Sequence, residues 1–275
     1  MTKLKMWNEK ASFKEAEQEW DQGAIKASQE YPIQGLKQLP SMVGITPDTA
    51  KWLKWKSLYW MMKHDRDRKI LRSFLRHPLK YGWNYLKSLL KDKPYKREND
   101  FFLYGIQSLE DFAQLLKQER TLLVVGFSYC HKPFECPSGR FSADCQHDPS
   151  HPVCRQCFIG KVMNALPDQN TIGVAIPTIH SIGGKIFELI EKYPDKQLIF
   201  MITACEMTLQ MFGDWGNMVG IQGIGVRLDG RICNTMKAFK LSEEGIKPGL
   251  TVVLEDTKAQ MMRWVAQRRE AELDP

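Results

Sequence analysis

The 275-residue chain has no run of about 18 uncharged apolar residues, which excludes a membrane-spanning helix of ordinary length. No apolar stretch follows the lysines of MTKLKMWNEK, so a secretory leader is not expected and a cytoplasmic protein is. There is no internal repeat and no low-complexity tract, which excludes a repeat array. Carboxylates are scarce between residues 51 and 97. There, 15 lysines and arginines stand against Asp65, Asp67 and Asp92, a local charge of +12 in a chain whose net charge is +7. No nucleic-acid-binding motif accompanies that basic stretch. Cysteine is missing from the first 129 residues and again after Cys233.

What is present reads as globular. Apolar residues make up 43% of the chain, and its length suits one large domain or a helical region attached to an α/β domain. Residues 10–30 read as a surface helix, with Phe13, Ala16 and Trp20 at roughly helical spacing. Thr46, Pro47 and Asp48 form a helix start, and a helix to about Lys63 follows. Apolar residues at intervals of three and four from Ile70 to Leu90 predict a helix pair that Pro78 kinks or divides. Ser108 and Asp111 resemble a capping box for a helix through Leu116.

From residue 121 the pattern changes to short β-rich runs at 122–126, 171–176, 197–202, 223–228 and 250–254. Helical segments at about 158–166, 184–192, 205–212 and 257–271 separate or follow them. The expectation is an α/β fold. A mostly parallel sheet of about five strands with crossover helices occupies 118–275, after a helical, basic region over 1–117.

All seven cysteines lie between Cys130 and Cys233, and five of them between Cys130 and Cys157. In a reducing compartment such clustering points to metal rather than disulfides. The insertion SYCHKPFECPSGRFSADCQHDPSHPVCRQC carries Cys130, Cys136, Cys145, Cys154 and Cys157 with little apolar material, so metal would supply the missing core. Cys205 follows the third predicted strand and Cys233 comes after the fourth. The rule that ligands bind beyond the carboxyl ends of parallel strands places Cys130, Cys205 and Cys233 on one rim, with His180 after the second strand.

Cys154 and Cys157 form a Cys-x2-Cys pair, a spacing that suits one metal or one cluster. Seven cysteines suffice for one complete four-cysteine site and a second set of three that leaves one iron open. One or two 4Fe-4S clusters are therefore the first expectation. Zinc is the alternative, because His147, His151, Cys154 and Cys157 also make a shell that tetrahedral zinc accepts. A thiol–disulfide role for Cys154 and Cys157 fits less well, since no short thioredoxin-like setting surrounds CRQC.

The CRQC pair, the SIGGK segment, ITACEM and GVRLDGRICNT together resemble the family called domain of unknown function 116, over about residues 154–256. The resemblance implies a cysteine-rich, cluster-binding α/β domain with Cys154, Cys157, Cys205 and Cys233 at matching positions. Gly183 and Gly184 fall in the matching loop. No established reaction comes with it. Many members carry a third cysteine three residues after the pair, where this chain has Gly160, and Cys136 or Cys145 is the substitute.

Other residues carry two readings each. Gly183, Gly184 and Lys185 would receive a small anionic ligand at a strand-to-helix turn, or simply make that turn. Glu206 is a candidate general acid or base beside Cys205, or an ordinary first-turn carboxylate. Among the histidines, His131, His147, His151 and His180 are candidate ligands or solvated loop residues. Asp229, Arg231, Asn234 and Thr235 bond cluster sulfurs or the turn's own backbone. The basic aromatic helices of 51–97 pack on the α/β domain, lie peripherally on an anionic membrane at its inner face, or track nucleic acid; the last has least support.

The candidate function is an iron–sulfur protein acting in redox or lyase-type chemistry on a small anionic substrate. The alternative is a zinc-folded, non-catalytic module that docks a membrane or partner through its basic helices.

Overall fold

A computed structural model describes residues 12–36, 44–51, 53–65, 67–91 and 93–273. The N-terminal helices are α1 (Phe13–Glu30), α2 (Pro47–Ala50), α3 (Leu53–His64), α4 (Lys69–Arg76) and α5 (Pro78–Leu89). A hairpin of β1 (Lys96–Glu98) and β2 (Phe101–Tyr104) and the helix α6 (Leu109–Leu116) lead to β3 (Thr121–Ser128). After the cysteine-rich insertion come α7 (Pro152–Gln156), α8 (Phe158–Ala165) and β4 (Thr171–Ile176). Then follow α9 (Ile179–Lys192), β5 (Gln197–Ala204), α10 (Glu206–Val219), β6 (Gln222–Arg227) and β7 (Asp229–Gly230). The chain closes with α11 (Met236–Glu243), β8 (Thr251–Val252) and α12 (Glu255–Leu273).

The main sheet has six strands in the order β1-β2-β6-β5-β3-β4. β6, β5, β3 and β4 are parallel, while β1 and β2 extend the β6 edge antiparallel. Alternation along each strand sorts the core into two layers. Leu123, Val125, Phe127, Ile199 and Met201 face α6, α8 and α12. Leu122, Val124, Phe200 and Ile202 face α9 and α10. A further apolar cluster joins α3, α4 and α5 to the outer side of α9 and α10, through Leu53, Trp60, Met61, Ile70 and Tyr81 against Phe187, Met207, Met211 and Met218.

Four expected strands form the parallel core. The fifth, at 250–254, does not join it: only Thr251 and Val252 are extended, and they pair with Asp229 and Gly230 in a separate two-stranded sheet. The remaining strands of the main sheet come from residues before 118. Two features hid them: β1 is the charged triplet KRE, and β2 is buried at every position, so neither alternates. The helix expected from Thr46 to Lys63 is interrupted. Thr46 does cap it, accepting from the N–H of Thr49, but the first helix ends at Ala50 and Lys51 is extended. Pro78 divides α4 from α5 at His77, and the capping box of Ser108 and Asp111 forms. The helix α1 is less of a surface element than its polarity suggested, since Ala16 and Trp20 are buried and the Arg155 guanidinium stacks on Trp20 at 4.4 Å. Among the described residues no helix is long and apolar enough to cross a membrane.

Candidate metal centre

The chain leaves β3 towards α8 on one face of the sheet and leaves the neighbouring β5 towards α10 on the other. A crevice therefore opens between their carboxyl ends. Cys130 stands in the single turn Tyr129–His131 directly after β3, where the Ser128 hydroxyl accepts from its N–H. Cys205 is the N-cap of α10, directly after β5. Cys233 arrives from the far side, between β7 and α11. All three are buried, with exposures of 6%, 7% and 2%.

The sulfurs share a polar lining. Cys205 Sγ lies 3.2 Å from Thr208 Oγ1, Cys130 Sγ lies 3.8 Å from Ser242 Oγ, and Lys247 Nζ donates to Cys233 Sγ at 3.1 Å. The Cys205 thiol also donates to Cys233, which raises the pKa of Cys205 well above that of a free thiol, with burial adding to the effect. The same hydrogen bond lowers the pKa of Cys233, and the Lys247 ammonium lowers it further against the opposing effect of burial. Burial raises the pKa of Cys130 while Lys247 draws it back. Of the three, Cys233 is the sulfur whose surroundings most favour the thiolate.

The other four cysteines belong to the insertion. Cys154 sits in α7, and Cys157 is both the C-cap of α7 and the N-cap of α8. Burial raises Cys154 to about 11 and Cys157 to about 12, and each also feels the charge of Cys145 and Cys136. Cys145 is raised by burial and is in turn sensitive to Cys136. These four are therefore electrostatic neighbours of one another, and Cys130, Cys205 and Cys233 are neighbours in a separate group.

Among the described residues no three His, Cys, Asp or Glu side chains stand together as a ready site for a metal ion. A zinc ion with Zn–S bonds of about 2.3 Å needs its sulfurs within about 3.8 Å of each other. A cubane cluster spreads its thiolates over the corners of a larger polyhedron. In donor chemistry both groups, made of sulfur alone, fit a cluster.

Two basic side chains organise the insertion, and neither was legible as more than a solvated charge. Lys132, 1% exposed, donates its ammonium to the carbonyls of Gly139, Ser142 and Asp144 at 3.3, 2.9 and 2.7 Å. Arg140 donates to the carbonyls of Lys132, Cys130, Lys247 and Gly249, at 3.1, 3.2, 2.6 and 2.5 Å, tying the insertion to Cys130 and to the segment carrying Lys247. Tyr129 donates to Ser242 and closes the floor of the three-cysteine group. Glu243, next to Ser242, accepts from the Ile179 N–H at the start of α9, and burial raises its pKa to about 8.

Several candidate residues fall elsewhere. Glu206 is buried and paired with Arg97 at 3.1 Å and Arg227 at 3.7 Å, in a network that continues to Asp100 and Asp229. The cavity at the crevice is lined by Cys130, Cys205, Thr208, Ser242 and Glu243, whereas Glu206 lines a different cleft with Arg97 and Tyr95. Glu206 thus faces the Arg97 side and not the cavity that Cys130 and Cys205 line.

Gly183, Gly184 and Lys185 are not in a turn. The helix α9 begins at Ile179 under the Thr178 cap, so these three lie in its second turn. Gly183 permits close packing, since a Cβ there would lie 2.8 Å from Met61 Cε. Lys185 pairs with Glu188 at 2.6 Å and borders a cleft shared with Cys145, His147 and Ser181.

Thr235 caps α11 through the Ala238 N–H, Asn234 accepts from Thr49, and Asp229 pairs with Arg227. Arg231 bonds through its backbone to Leu250. His151 caps α7 and His147 bonds the Cys145 carbonyl. His131 is buried between Phe127 and Phe158, and burial lowers its pKa to about 3. His180 lies in the first turn of α9, its pKa lowered by partial burial. At position 160 a Cβ would stand 2.2 Å from the Cys154 carbonyl oxygen, so the local geometry has no room for a third cysteine there.

No protein-family model, curated protein or solved structure matches the chain.

Proposed function

We propose that this chain is an iron–sulfur protein with two cysteine-held centres. Cys136, Cys145, Cys154 and Cys157 supply a complete set of ligands for one 4Fe-4S cluster. Cys130, Cys205 and Cys233 supply three for a second, leaving one iron free of protein ligands. What supports the reading is that Cys130 and Cys205 line one crevice between β3 and β5, with the Cys205 thiol hydrogen-bonded to Cys233, three sulfurs from loops far apart in sequence.

When bound, such a cluster supplies an electron or a Lewis-acidic iron. The chain's own groups have defined parts. The hydrogen bond from Cys205 and the Lys247 ammonium both favour the thiolate form of Cys233 that a metal ligand needs, and the Thr208 and Ser242 hydroxyls lie against the sulfurs of Cys205 and Cys130. A small anionic substrate would be met by Lys185 and Ser181 at the cleft that also holds Cys145, beside the four-cysteine set rather than at the open iron, where electron transfer is the chemistry available. The reaction class proposed is redox or lyase-type.

Protein purified without oxygen is expected to be brown, to carry iron and acid-labile sulfide in equal amounts, and to bleach on reduction. Colourless protein with stoichiometric zinc would overturn the proposal in favour of a zinc-folded binding module.

A further inference from the structure

The helix α5 is packed on one face and carries an exposed apolar stripe on the opposite one. Its inner face is committed to α10: Ser88 donates to Asp214 at 2.7 Å, Asn84 donates to the Met218 carbonyl, and Tyr85 packs on Trp215 with ring centroids 5.9 Å apart. The outer face carries Leu79, Trp83, Leu86 and, at the C-cap, Leu90. Steps of four, three and four residues at about 100° each put all four within an arc of about 60°. These side chains are 88%, 61%, 55% and 87% exposed, so this face has no partner within the described chain.

The neighbouring helices carry exposed apolar side chains of their own. In α4, Ile70 is buried while Leu71 and Leu75 are 42% and 60% exposed. In α3, Trp55, Tyr59 and Met62, at steps of four and three, are 58%, 64% and 67% exposed. A groove lined by Met62, Leu71, Phe74, Tyr85 and Trp215, with Arg68 at its edge, runs between them.

Cations border this surface. Lys80, Lys87 and Lys91 lie on one flank of the α5 stripe, Lys87 stands 5.2 Å over the Trp83 ring, and Lys69, Arg72 and Arg76 are exposed on α4. An apolar face rimmed by long cationic side chains matches the boundary between lipid headgroups and acyl chains. Leucines enter the apolar zone there, tryptophan sits at its border and lysines reach back to the phosphates. The cations flanking the stripe, Lys80, Lys87 and Lys91, oppose a second copy of the same face. Three leucines to one tryptophan in the stripe favour acyl chains over nucleic-acid bases.

We propose that α3, α4 and α5 form a docking surface for an anionic phospholipid bilayer, with α5 lying flat and Leu79, Trp83, Leu86 and Leu90 inserted. This surface is independent of the metal reading, and its test leaves that reading untouched.

The test is sedimentation of the full chain with phosphatidylcholine vesicles, with and without phosphatidylglycerol. Phosphatidylglycerol should tighten binding at least about tenfold, and added salt should weaken it. The exposed triple variant Leu79→Ser, Leu86→Ser, Leu90→Ser should lose at least about tenfold, as should Lys80→Gln, Lys87→Gln, Lys91→Gln, with unchanged circular dichroism and melting. Binding to neither vesicle type, equal binding to both, or an unaffected leucine variant would overturn the proposal. So would concentration-dependent dimerisation that the leucine variant abolishes in the absence of vesicle binding.

Discussion

Lys132 shows how a loop without a hydrophobic core is held. Burying an ammonium costs several kcal/mol, and three carbonyl acceptors offset it while fixing the chain from Gly139 to Asp144. Replacing it with methionine leaves those carbonyls unsatisfied at about 1 kcal/mol or more each. Lys132→Met should lower the melting temperature and open 133–150 to limited proteolysis; resistance equal to the parent would refute this role. Glu206 permits a complementary check. Glu206→Gln weakens a buried ion-pair network between Arg97 and Arg227, and a loss of about 1–3 kcal/mol is expected with iron content unchanged. Loss of iron with unchanged stability would contradict this purely structural role. At this scale Cys130, Cys205 and Cys233 were legible because each follows a strand, Cys154 and Cys157 by their Cys-x2-Cys spacing, and Cys136 and Cys145 only by lying in the same insertion. Lys132, Arg140 and Lys247 were not, because a lysine or arginine in a polar loop looks the same whether it faces water or carbonyls.

At the level of elements, α7 and α8 meet at Cys157 so closely that position 160 has no room for a side chain. An Ala-for-Gly exchange inside a helix ordinarily stabilises by about 1 kcal/mol. Here the added methyl would stand 2.2 Å from the Cys154 carbonyl oxygen, so Gly160→Ala should instead destabilise by about 2 kcal/mol in a chemical denaturation series. Stabilisation by Gly160→Ala would mean that the two helices are further apart. The parallel core was readable from its apolar runs, whose ends were placed within about two residues. The start of α9 was not, because glycines at 183 and 184 suggest a turn while the actual cap, Thr178 with Ser181, lies earlier. The pair β1 and β2 escaped notice because a three-residue charged strand and a fully buried four-residue strand carry no alternation.

For the whole molecule, the decisive feature is how the sheet order partitions the cysteines. Because β3 and β5 are neighbours whose chains leave on opposite faces, Cys130 and Cys205 are brought together at the crevice, and Cys233 closes the group from the β7 side. The insertion gathers Cys136, Cys145, Cys154 and Cys157 separately. The sequence showed that seven cysteines could divide into four and three, but not which cysteine belonged to which set. That depended on the strand order and on Arg140 reaching from the insertion to Cys130 and Gly249.

The central claim is this division into two centres, and native mass spectrometry of protein purified without oxygen tests it most directly. The full chain should carry two cluster increments, with one retained in Cys154→Ser and one in Cys205→Ser. Loss of both increments in either variant, or masses matching bound zinc, would contradict the account.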